Sequence, residues 1–173
     1  ARIIQENEVE SLYCMNSDCV AKKIKAFTLF VSRDAMNIDG LSEATLEKFI
    51  AKGFIHDFGD IFEIAKYRDE IVGMDGFGEK SFDNLMVSIE KAKETVLAKV
   101  LYSLGIANIG LSNAKVICRH FEDDLAQIRN AKEEEVGAID GIGPVIARSL
   151  TKYFEDPDNN RRLDHLLRYL HIN

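Results

Sequence analysis

Tryptophan is absent from this 173-residue chain, proline occurs twice and cysteine three times. Each shortage excludes something. With two prolines, long stretches are free to be helical, and abundant Ala, Leu, Glu and Lys favour that state. Cys14, Cys19 and Cys118 are too few and too oddly numbered for a secreted disulfide framework, so a reducing, cytoplasmic compartment is expected. No stretch approaches the roughly 18 consecutive apolar residues of a membrane span. Glu6, Glu8 and Glu10 sit where a signal peptide would need its apolar run. Positive charge is also short: 22 Lys and Arg against 29 Asp and Glu give a net charge of -7. The chain is therefore not a polycation that coats nucleic acid. Binding through backbone amides stays open, because it needs few basic side chains. The length suits one large domain or two small ones, and a start at Ala1 leads us to expect a piece of a longer protein.

What the chain does contain is a repeat. An apolar residue, Asp and Gly recur as Ile38-Asp39-Gly40, Met74-Asp75-Gly76 and Ile139-Asp140-Gly141, continuing as GLSEATLEKF, GFGEKSFDNL and GIGPVIARSL. A further segment, NIGLSNAKVI, begins at Asn108 and fits the same frame with Gly110 in second place. The second positions are residues 42, 78, 110 and 143, so the intervals are 36, 32 and 33. Such regular spacing marks an array of like units.

Each unit predicts a helix, a glycine turn and a second helix. After Gly78, residues Phe82, Leu85, Met86 and Ile89 share one helical face; after Gly143, Val145, Ile146, Leu150, Tyr153 and Phe154 do the same. Pro144 suits the first helical position, where its missing N–H does no harm. Connecting helices are predicted at about 57–66, 95–104 and 123–130. A closing helix is predicted from Pro157 to about Leu170, with Leu163, Leu166, Leu167 and Leu170 along one face. The fold class expected is all-α. Residues 2–14, with Ile3-Ile4 and Leu12-Tyr13, are the exception and could form a short hairpin.

A turn just before a helix N-terminus presents several unpaired N–H groups in one direction, and the helix dipole adds positive potential there. Phosphate is the natural ligand, and glycine lets it approach closely. The pattern resembles the G-h-G turn of the helix-hairpin-helix family, whose members bind the minor-groove side of duplex DNA through its phosphates. A plain helix-to-helix turn is the competing reading for any single unit. The candidate contacts are Gly40, Gly76, Gly78, Lys80, Asn108, Gly110, Ser112, Lys115, Gly141, Gly143, Arg148 and Lys152, with Arg119 on the Lys115 face. Units two and four keep both glycines and are the first choice. Ser42 replaces the second glycine of unit one, and Asn108 the first of unit three, a residue that tolerates left-handed backbone. Gly78 and Gly143 are expected to need positive φ. The aspartate before each first glycine is expected to bond local backbone. The acidic runs Glu122-Asp123-Asp124 and Glu133-Glu134-Glu135 are expected on opposite faces from the basic residues.

Cys14 and Cys19 are half of a zinc site at most, since tetrahedral zinc takes four ligands; as a bare pair they read equally as free thiols. Cys118, beside Ile117, reads as a core residue. The stretch CMNSDCVAKK followed by FVSRDAMNIDGL is similar to the end of the zinc finger and the start of the helix-hairpin-helix domain in bacterial NAD-dependent DNA ligases, and the resemblance runs through the rest of the chain. It implies that residues 1–24 are the remnant of a four-cysteine finger, with Cys14 and Cys19 as zinc ligands and the other two upstream. Residues 25–173 would be the tandem helix-hairpin-helix domain. Val20 stands where that family usually has proline.

The resemblance further implies a parent enzyme that seals nicks in duplex DNA in replication and repair. It would use NAD and magnesium, pass AMP through a lysine in a Lys-x-Asp-Gly motif, and have further ligase domains beside this one. The residue two before each Asp-Gly pair here is Asn37, Gly73 or Ala138, never lysine. The chemistry would then lie elsewhere, and this part would clamp and bend the duplex. Other readings are a scaffold from an excision-repair nuclease or junction-processing protein, a helical protein-interaction module, and a base-excision glycosylase. For the last, Lys80 follows a hairpin but the next acid, Asp83, lies only three residues on. From the missing lysine we expect that incubation with NAD and magnesium leaves the mass of the chain unchanged; a stable gain of one AMP, seen by mass spectrometry, would overturn that placement of the chemistry.

Overall fold

A computed structural model describes residues 17–74 and 76–173, with side chains from Val20 onward. The proposed hairpin at residues 2–14 and Cys14 lie outside the described residues, as does Asp75. Helix α1 (Ser17–Val31) buries Phe27, Phe30 and Val31, an i, i+3, i+4 stripe. It runs unbroken past residue 24. Helix α2 (Glu43–Ala51) starts at Ser42, whose Oγ accepts from Thr45 N, and buries Leu46 and Phe49 against α1. Burial of large apolar side chains at about 1.5–3 kcal/mol each makes this stripe, rather than the cap, the main hold on the pair.

The predicted connector at 57–66 is a 3-10 helix, Phe58–Tyr67. Asp60 Oδ2 accepts from His56 N at 2.8 Å and Asp57 N at 2.9 Å, which fixes its start. Helix α3 (Arg68–Val72) follows at once and packs on α4 (Glu79–Ala92), whose buried side chains are Phe82, Leu85, Ile89 and Ala92. Strand β1 is only Glu94–Thr95. Helix α5 (Leu97–Ser103) buries Leu97, Ala98, Val100, Leu101 and Ser103, and packs on α6 (Leu111–His120). The helix expected at 95–104 is thus present, and it serves as the first helix of the third unit rather than as a link between units.

Helix α7 (Leu125–Asn130) is capped by Asp124, which accepts from Gln127 N. The run Glu133-Glu134-Glu135 forms the first turn of a five-residue helix, α8 (Glu133–Gly137), where acids favour the helix dipole. It packs on α9 (Pro144–Glu155) through Val136 and Ala147, with Leu150 and Phe154 continuing the buried stripe. Helix α10 (Pro157–Leu167) begins at the Asp156 cap, buries Leu163 and Leu166, and ends before the predicted Leu170. Strand β2 (His171–Ile172) pairs in parallel with β1, Glu94 opposite His171 and Thr95 opposite Ile172. The four helix pairs share a common apolar core that runs from Phe27 to Leu166.

The chain closes on itself where α10 packs on the 3-10 helix. Gly59 lies under His165 so closely that an added Cβ would stand 2.7 Å from Nδ1. Arg162 Nε reaches Asp57 at 3.3 Å and Arg161 reaches it at 3.7 Å. Tyr169 stacks on Phe62, ring centroids 5.7 Å apart, and its hydroxyl donates to Glu63. We expect Gly59→Ala to force the imidazole away and to lower stability by about 1–3 kcal/mol, the usual range for overpacking. Denaturant unfolding of Gly59→Ala, His165→Ala and the double variant checks this: strong non-additivity is expected, and simple additivity would show that the close approach does not matter.

Candidate nucleic-acid interface

The four hairpins share one backbone course. The first position is left-handed in every unit: Gly40 at φ +95°, Gly76 at +81°, Asn108 at +67° and Gly141 at +89°. Asn108 thus does the work of the missing glycine, and its carbonyl accepts from Asn113 Nδ2 at 3.2 Å. The turn is closed by Phe77 N donating to the Met74 carbonyl at 3.0 Å, Ile109 N to Ile106 at 3.1 Å, and Ile142 N to Ile139 at 3.0 Å. The middle residues Leu41, Ile109 and Ile142 are buried and Phe77 half-buried, so each turn is pinned to the core.

The second position behaves differently from expectation. Gly78 (φ -153°), Gly110 (φ -89°) and Gly143 (φ -94°) are extended N-caps, not left-handed. A Cβ at any of them would meet nothing within 4 Å. Neither backbone conformation nor packing inside the chain calls for glycine there. None of the three has a side-chain cap, so the first-turn amides of α4 and α6, and those of α9 after Pro144, which has no N–H, keep their donors toward the open side. Unit one differs, because the Ser42 hydroxyl takes the Thr45 amide at 3.2 Å and occupies the place an anion would take.

The hairpins are held in pairs. Asp39 N donates to Ser88 Oγ at 2.7 Å, and Gly40 faces Leu85, which seats the first hairpin on α4. Asn108 Nδ2 donates to Ser149 Oγ at 3.1 Å, which seats the third on α9. The expected role of the aspartates is not met: among the described residues neither the Asp39 nor the Asp140 carboxylate accepts a backbone hydrogen bond.

Lys80, Ser112, Lys115, Arg119, Arg148 and Lys152 are all exposed on the helices that the hairpins open. The expected separation of charges fails at one point. Glu133 lies 4.0 Å from Arg148, because the acidic run opens the helix that packs on α9. Arg68, which the repeat pattern did not single out, bonds Glu79 at 3.3 Å in the first turn of α4 and lies over the Phe82 ring. It belongs to the preceding helix, ten residues before Gly78, so a search downstream of each glycine passes it by.

Cys19 falls within α1, and Cys118 is buried. Burial, with the Asp123 charge adding to it, pushes the Cys118 thiol up to about 12, which suits a core residue and not a nucleophile. The fold also gathers Asp60, Glu63 and His165, with ligand atoms within 4.8 Å of one another. Asp60 already accepts two backbone amides at the start of the 3-10 helix, while Glu63 holds the Tyr169 hydroxyl and, with His165, serves the docking of α10.

The family described as "Helix-hairpin-helix motif" matches residues 99–163, from α5 into α10. Proteins named DNA ligase match almost the whole chain. The one from Lachnoclostridium phytofermentans is 55% identical over 166 residues, covering 96% of this chain and 25% of its own length. That from Ruminiclostridium cellulolyticum is 56% identical over 154 residues, 89% of this chain and 23% of its own. That from Brevibacillus brevis is 39% identical, 96% of this chain and 25% of its own. The chain thus spans about a quarter of the length of these relatives. With hairpins, helix pairs and sequence in agreement, it belongs to the DNA ligase family, as a helix-hairpin-helix segment of it.

Proposed function

We propose that this chain is the duplex-DNA clamp of an NAD-dependent, nick-sealing ligase and that it holds the phosphate backbone without regard to sequence. The observation that carries the proposal is the bare second position of units two, three and four. Glycine stands at Gly78, Gly110 and Gly143 where the chain itself has no use for it, so a group outside the chain is the remaining reason. A phosphate oxygen in that space meets the amides of a helix start and its positive dipole end. Exposed Lys80, Lys115, Arg148 and Lys152 add charge beside three of these points, with Ser112 as a hydroxyl donor at the third unit. The contacts reach phosphates and not base edges, so no sequence is read. Gly40, Gly76, Asn108 and Gly141 act indirectly, by turning the chain so that the second position faces out.

Residues 1–24 fit this proposal as the end of a zinc finger, and 25–173 as the clamp. Cys14 and Cys19 would supply two of four thiolates, and the chain has no second pair to complete a tetrahedral site. NAD and magnesium belong to the proposed chemistry of the whole enzyme, which lacks its lysine here.

Two measurements test the clamp. Affinity for random and defined duplexes should be similar and fall steeply with salt; a strong preference for one sequence would defeat the proposal. Substitutions should separate two kinds of glycine. Gly78→Ala and Gly143→Ala are expected to stay folded, within about 1 kcal/mol, and to bind DNA more weakly. Gly76→Ala and Gly141→Ala should lose about 1 kcal/mol or more of stability, because a Cβ there strains positive φ. Ser42→Ala should lose about 1 kcal/mol from the cap and leave binding nearly unchanged. Full affinity in folded Gly78→Ala and Gly143→Ala would reduce those hairpins to turns.

A further inference from the structure

The three helices that open on an uncapped glycine differ in the charge of their first turn. α6 and α9 carry no acid there, whereas α4 begins with Glu79. A carboxylate at a helix start is drawn to the same dipole end and the same free amides as a phosphate. Glu79 is therefore a competitor for the place in front of Gly78. One cation holds it: Arg68 Nη2 lies 3.3 Å from Glu79 Oε1, between side chains 45% and 72% exposed. The guanidinium also lies 5.7 Å from the centre of the Phe82 ring, a contact that favours that position. Phe82 is three residues after Glu79, on the same face and one turn further along α4. The pull on the carboxylate is thus backward along the helix, away from its amide end.

The other charges nearby do not do this. Lys80, next in the chain, is exposed and ties no acid among the described residues. Asp69 stands 3.8 Å from Arg68 but is 95% exposed, and Glu70 and Asp83 are exposed as well. Unit one supplies the contrast. Glu43 holds the place of Glu79 in α2, and no cation ties it among the described residues. There the Ser42 hydroxyl already takes the Thr45 amide, and holding the acid off would free nothing. An exposed ion pair adds little to stability; what it changes is where the acid lies. We propose that Arg68 is a positioning residue, which draws Glu79 off the first-turn amides of α4 and leaves the Gly78 turn open to phosphate. The inference rests on Gly78 facing phosphate, as proposed above, and adds that Arg68 acts through Glu79 and not on the DNA.

A double-mutant cycle on the full chain, read as duplex affinity at several salt concentrations, tests it. Arg68→Gln should weaken binding about three- to fivefold, the scale of one charge at an exposed helix start. It should melt within about 3 °C of the parent, and Arg68→Lys should bind like the parent. In a Glu79→Gln background the same Arg68→Gln change should cost less than about twofold, since no acid is left to hold. An equal loss in both backgrounds, with the slope of log K against log salt shallower by about 0.9, would put Arg68 on a phosphate itself and overturn the proposal. If Arg68→Gln binds like the parent while Gly78→Ala weakens binding, this proposal falls alone. If neither change has an effect, the phosphate contact of the second hairpin falls with it.

Discussion

One left-handed residue between two helices sets the geometry on which each unit depends. Positive φ at Gly40, Gly76, Asn108 and Gly141 reverses the chain within a few residues. The next residue then points inward and is held by the core, as Ile109 and Ile142 are. The residue after that is left extended at the head of a helix, with its amides unspent. Burial of the middle residue stabilises the turn, and the turn aims the amides. A protein with net charge -7 can thereby present positive potential at chosen points without a basic surface.

The repeat itself was legible because each unit carries the same punctuation at nearly the same interval. Even the unit without a first glycine could be placed, since asparagine visits the left-handed region more readily than most residues. The two glycines of a unit could not be told apart by sequence. Glycine serves both where φ is positive and where an outside group must come close. The letters are the same at Gly76 and Gly78, a Cβ would meet nothing within 4 Å at either, and only the backbone angles separate them.

Other features escaped because their causes are not local. The first helix of unit four was expected before its turn but not its bounds: α8 has five residues and one buried side chain, Val136, too little for periodicity to mark its ends. The seat of His165 on Gly59 and the bond from Tyr169 to Glu63 join residues more than a hundred positions apart. No spacing rule reaches that far.

That last junction changes the kind of object the repeats make. In an open solenoid each unit touches only its neighbours, and stability sums along a line, so the ends can fray while the middle persists. Here α10 returns to the 3-10 helix between units one and two, and β2 pairs with β1 between units two and three. The line becomes a loop, and loss of any one unit exposes apolar surface on units far from it in sequence. Folding must then wait for contacts of long sequence separation, which slows it, and the hairpins rise and melt together as a single cooperative block, so the spacing between them is preserved as long as any of them is formed.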